Sequence, residues 1–147
     1  TLMNLYKQGF EGDTALCFKT EVLRKHLFPR FGEEKFLTEG YVYDQIDQEG
    51  ELYLLGKVLI ECEYQEDGYT NNWLLQYKNN PLGWRAYFVQ HLAFIDSIIG
   101  RIKWMSWSNA YLFLAGKYNL LVNKEYPLLS FFCIPLGLVL YYSRLKK

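Results

Sequence analysis

The sequence predicts an α+β, helix-rich fold, with a few short strands first and a helical C-terminal region after them. Three observations predict it. Apolar residues make up 50% of the 147 residues and aromatics 18%, too rich for a disordered chain and long enough for one buried core. Val58, Ile60, Cys62 and Tyr64 alternate with Leu59, Glu61, Glu63 and Gln65, the period of a strand with one apolar face. Phe88, Leu92, Ile95, Ile99 and Ile102 step by four, three, four and three, which is a single helical stripe.

Taken in order, the chain opens at Thr1 in mid-pattern and shows no basic segment leading into an apolar one, so it reads as a piece of something longer without a signal peptide. A strand is predicted over 14–19. Thr20 then caps a helix with Glu21 in its first turn and Arg24, Lys25 and His26 in its last, matching the dipole at both ends. Pro29 and Gly32 interrupt it. A helix over 38–47 follows, with Thr38 as its N-cap and Glu39 in its first turn. Strands over 52–55 and 58–64 flank Gly56-Lys57, and Gly68 closes the second with freedom for a positive φ. Thr70 or Asn71 caps a helix ending near Asn79. Asn80-Pro81 pairs an N-cap with proline at the first helical position and opens a long helix through Ile102. Gly100 is tolerated inside it at ~1 kcal/mol relative to alanine. A further helix covers 109–118.

The tail over 126–143 carries no charge and ends in Arg144-Leu145-Lys146-Lys147. As a helix it would be ~27 Å long, short of the ~30 Å hydrocarbon core. Pro127, Pro135 and Gly137 weaken it further. An interfacial or core helix is the leading reading, with a membrane span and irregular structure as the alternatives. Two regions follow: 1–69, and a helical, Trp-rich basic region over 70–147 with a membrane-interface tail over 126–147.

Net charge is zero but unevenly spread: residues 1–70 hold 14 acidic and 7 basic side chains, a balance of −7, and residues 71–147 hold 2 and 9, a balance of +7. Trp73, Trp84, Trp104 and Trp107 all lie in the basic half. That mixture suits an anionic membrane surface or nucleic acid, or a buried aromatic core with solvated lysines. Cys17, Cys62 and Cys133 show no metal-type spacing, and packing is their expected role. His26 and His91 belong to no ligand motif and read as structural or surface residues. There is no phosphate loop, nucleophile elbow or DxD-type nucleotide motif. Acidic residues in clusters remain: Glu33, Glu34 and Glu39, then Glu66 and Asp67.

Four ordered blocks give these clusters a context. They are Gly12-Asp13-Thr14-Ala15 with Lys19-Thr20 and Leu23, then Phe28-Pro29 with Glu34-Lys35-Phe36 and Glu39, then residues 64–70 (YQEDGYT), then Asn80-Pro81-Leu82-Gly83-Trp84. In this order and spacing they resemble the acceptor half of bacterial family 2 glycosyltransferases that build capsular and surface polysaccharides. The match covers residues 5–90, and the tail agrees only in general character. The doubled acid Glu33-Glu34 departs from the family's single one, and Glu34 is the better match.

The resemblance implies the C-terminal half of a GT-A fold and an inverting transfer from a nucleotide-sugar donor to a saccharide or lipid-linked acceptor. Glu39 falls at the family's base position. Gly12, Asp13 and Glu34 fall at acceptor-binding positions, and Asp67 and Thr70 near the diphosphate and metal. A divalent metal, Mn or Mg, would be held mainly by ligands outside this chain, and the chain alone is expected to be inactive. The expected setting is cytoplasmic, peripheral to the inner membrane face. Expected partners are donor, acceptor, an anionic membrane surface and a second copy, with no nucleic acid. A non-catalytic helical module for membrane or protein docking is the rival reading.

Overall fold

A computed structural model describes every residue except Asp67, Tyr69 and Lys147. Its regular elements are helices: α1 (Leu2–Lys7), α2 (Thr20–Leu23), α3 (Gly40–Ile46), α4 (Trp73–Asn79), α5 (Pro81–His91), α6 (Ile98–Leu114), α7 (Pro127–Phe132) and α8 (Ile134–Leu140). Short 3-10 turns follow α5 and α6, and a π-helical turn, Tyr141–Leu145, ends the described chain.

No strand occurs among the described residues, which overturns the α+β expectation and with it the half-sheet of a GT-A fold. The stretches 14–19, 52–55 and 58–64 run without regular structure. Alternation records which side of a strand is apolar, but a strand needs a neighbour to bond to and a core to cover. Here the apolar positions face water: Tyr53 is 87% exposed and Val58 83%. Nor does Gly68 take a positive φ; Gly56 does, at +58°.

The core is built on α6, whose Met105, Ser106, Ser108, Asn109, Ala110, Tyr111 and Leu112 are all buried. One side packs against α5 through aromatic rings. Phe88 stacks on Tyr111 at 5.5 Å and His91 on Trp104 at 4.1 Å, while Tyr77 of α4 stacks on Trp84 at 4.1 Å. Three of the four tryptophans therefore serve the core, and Trp73 is left exposed. The other side receives α8, which crosses so closely that a Cβ on Gly137 would lie 2.6 Å from Asn109 Cβ and 3.0 Å from Ser106 O. Asn109 Nδ2 donates to Ser130 O at 2.9 Å and pins α7 beside it.

The long helix predicted from Asn80 to Ile102 is two helices. Residue 95 is extended (φ −104°, ψ 113°), and Ser97 starts α6 by accepting from Gly100 N at 3.4 Å. Asp96-Ser97 offers the backbone a cap that competes with helix continuation, and Arg101 Nε holds the break by donating to Ile95 O at 2.8 Å. The helix predicted over 109–118 is the end of α6. It closes in a Schellman turn, with Lys117 N to Leu112 O at 3.0 Å, Gly116 N to Phe113 O at 3.2 Å, and Gly116 at φ +65°. Among the described residues no helix is long and apolar enough to cross a membrane.

Candidate functional site

The second and fourth sequence blocks bind each other. Glu34 Oε1 accepts from Leu82 N at 2.8 Å and Oε2 from Gly83 N at 2.7 Å, so its carboxylate closes the first turn of α5. In return Asn80 Oδ1 accepts from Lys35 N at 2.9 Å and Phe36 N at 3.0 Å, while its Nδ2 donates to Gln76 O at 3.0 Å. Free N–H groups at a helix start need acceptors, and a carboxylate there also meets the positive end of the dipole. Gly83 lets the two segments touch, because a Cβ would sit 2.9 Å from Phe36 O. Glu34, expected at the acceptor, thus has a structural task first.

This clamp supports a broad concavity of about 770 Å³ lined by residues 28–37 and Glu39. Phe28, Phe31 and Phe36 supply apolar surface, and Arg30, Glu33 and Glu39 supply charge.

Glu39 lies immediately before α3, in helical backbone (φ −57°, ψ −29°), and its side chain makes no capping bond. The helix begins at Gly40, and Thr38 Oγ1 accepts from Gly40 N at 3.4 Å. The carboxylate is exposed, faces the concavity and lies near Tyr43, whose phenol is pushed up by burial and then by the Glu39 charge. Its placement is fixed from behind. A Cβ on Gly40 would lie 3.1 Å from the Tyr87 ring, so α3 starts hard against α5. Asp44 Oδ2 meets His91 Nδ1 at 2.6 Å, and Gln90 Nε2 donates to Tyr41 O at 2.6 Å. These ties carry α3 across the boundary proposed at residues 69 and 70. Asp44 and His91 are 47 residues apart, and no local pattern joins them.

Gly12 and Asp13 lie elsewhere. Gly12 is exposed at φ +126°, and Asp13 Oδ2 accepts a hydrogen bond from the Tyr64 hydroxyl, joining the first and third blocks. Neither lines the concavity. Thr70 is exposed in the turn before α4, where Asn71 Nδ2 donates to Gln65 O at 2.7 Å. Asp67 lies outside the described residues. His26 bridges Gln45 at 3.0 Å and Glu49 at 2.7 Å and acts as a strut. Cys17 and Cys62, expected in packed positions, are exposed; Cys133 is buried.

Among the described residues no group of three or more His, Cys, Asp or Glu side chains converges to hold a metal ion. Within the concavity Glu34 spends both carboxylate oxygens on backbone N–H groups, and Glu33 and Glu39 are the other carboxylates that line it. Comparison with family models, with curated proteins and with solved structures finds no match for this chain.

Proposed function

We propose that this chain is the acceptor-side part of an inverting glycosyltransferase that moves a sugar from a nucleotide-sugar to a saccharide or lipid-linked acceptor in cell-surface polysaccharide synthesis, at the inner face of the cell membrane. The observation that supports it most is the division of labour between two carboxylates of one block. Glu34 is committed to holding the loop on α5, and Glu39 stands uncommitted at a phenylalanine-rich concavity. A base in such a transfer must be free and within ~3 Å of the acceptor hydroxyl.

The step balances as a single displacement. Glu39 takes the hydroxyl proton, the acceptor oxygen bonds to the anomeric carbon from the side opposite the leaving group, and the bond to the nucleoside diphosphate breaks. Configuration inverts. Sugar rings present C–H faces that pack on aromatic side chains, which suits Phe28 and Phe31. Gly12, Asp13, Asp67 and Thr70 keep in this reading the acceptor and diphosphate roles that the resemblance implies, and the rest of the enzyme supplies the donor.

The test is transfer by the enzyme containing this chain, offered UDP- and GDP-sugars with saccharide acceptors and followed by mass spectrometry and NMR. An inverted glycoside is expected. Failure with every donor, or a retained linkage, contradicts the reading. A non-catalytic docking module is the second reading, supported by the exposed apolar face of α7 and α8.

A further inference from the structure

The segment from α7 to the π-helical turn is apolar on two opposite sides. Ser130, Cys133, Gly137 and Leu145 are buried on the inner side, with Gly137 seated against α6. On the outer side Leu128, Phe132, Leu136, Val139 and Tyr142 step by four, four, three and three and are all exposed, Leu128 by 73% and Phe132 by 71%. An element that is apolar all round belongs inside a core or against lipid. The core covers one side.

Charge decides what suits the other. Residues 126–143 contain no charged side chain, and Arg144 and Lys146 follow. Lys146 Nζ stands 4.7 Å from the Tyr142 ring centroid, which places a cation at the end of the outer stripe. Before the segment stand Lys124 and Glu125, one charge of each sign. The stripe therefore ends in positive charge.

We infer that this outer face is an in-plane attachment site for an anionic lipid surface. Prolines at 127 and 135 and the interruption at Cys133 divide the segment into two short helices laid along α6, so it lies on the bilayer and does not cross it. Phenylalanine and aliphatic side chains enter the headgroup boundary, and Arg144 and Lys146 meet lipid phosphates. A second copy would cover the apolar stripe but would leave the two cations without counter-charge. The inference stands apart from sugar transfer, and either can fail without the other.

The test is co-sedimentation of the whole chain with phosphatidylglycerol–phosphatidylcholine vesicles and with phosphatidylcholine alone, at low and high salt. Binding to the anionic vesicles is expected, at least roughly tenfold tighter than to the neutral ones and weakened by salt. Phe132→Asp with Val139→Asp should abolish it. Arg144→Gln with Lys146→Gln should weaken it by roughly tenfold or more. Should the aspartates unfold the chain, as circular dichroism would show, the charge variant still decides. No binding to anionic vesicles, or binding untouched by these variants, overturns the inference. So does a stripe variant that splits a wild-type dimer without altering vesicle binding, because a second copy would then own the face.

Discussion

Replacing Glu34 with alanine tests whether the loop over 28–39 is built on α5 or merely lies beside it. The substitution removes both acceptors from the start of that helix, at 2.8 Å from Leu82 N and 2.7 Å from Gly83 N. Leu82 is half-buried and can recover water, whereas Gly83 is buried, and an unmade buried donor costs about 1–3 kcal/mol. Losing the negative charge at the helix start costs a further ~0.3–1 kcal/mol. The expected destabilisation is about 2–4 kcal/mol, large beside the ~5–15 kcal/mol that holds a domain together. Urea unfolding followed by far-UV circular dichroism and by tryptophan fluorescence, with Trp84 inside α5, measures it. At a slope of ~2 kcal/mol per molar, the midpoint should fall by ~1–2 M. Glu34→Gln keeps one acceptor and should fall between. Glu33→Ala, on an exposed neighbour, should change stability by less than ~0.5 kcal/mol. If Glu34→Ala behaves like Glu33→Ala, the clamp is not what organises the concavity.

Three further outcomes follow from packing and charge. Gly137→Ala puts a methyl group 2.6 Å from Asn109 Cβ and should cost about 1–3 kcal/mol by overpacking, read as a lowered unfolding midpoint; an unchanged midpoint would mean that α8 does not press on α6. In the folded chain Cys17 and Cys62 should react with a thiol reagent, while Cys133, buried and with its thiol pushed up by that burial, should react only in denaturant; fast reaction of all three would contradict the core. Hydrogen bonds from His26 and Lys25 hold the Glu49 carboxyl below its ordinary range. The folded state thus binds fewer protons there than the unfolded one, so this contribution is present above the ordinary glutamate range and lost as pH falls through the lowered value. The melting-temperature gap between wild type and Glu49→Gln should accordingly close in acid, and a gap unchanged in acid would remove Glu49 from that role.

Much of the helical layout was legible from end chemistry. Asn80-Pro81, Thr20 with Glu21, and Thr38 before Gly40 each mark a helix start to within a residue or two, because backbone donors at a helix start demand such neighbours. The strand pattern fails for a physical reason. The alternation at Val58, Ile60, Cys62 and Tyr64 is real, but the chain brings it no partner strand among the described residues. The stripe through Phe88 and Ile102 hides the break because apolar spacing runs on across it, while the cap at Ser97 shows only as one hydroxyl. In the site, the order of the blocks pointed to Glu39. That Glu34 accepts from Leu82 and Gly83 while Asn80 accepts from Lys35 and Phe36, across 44 to 49 residues, is a tertiary fact. So is the tie from Asp44 to His91, which sets α3 and leaves no periodic trace.

Turnover of Glu39→Gln in the enzyme containing this chain decides whether Glu39 is the base. The amide keeps the shape and removes the basicity, and a lost general base costs ~10²–10⁴-fold. Stability should hardly change, since the Glu39 side chain makes no capping bond and is exposed. Donor binding should also be kept. Glu34→Gln should show the reverse, a loss of stability with activity falling only as the loop loosens. A Glu39→Gln enzyme that is folded and turns over within tenfold of wild type would contradict the assignment of Glu39 as the base.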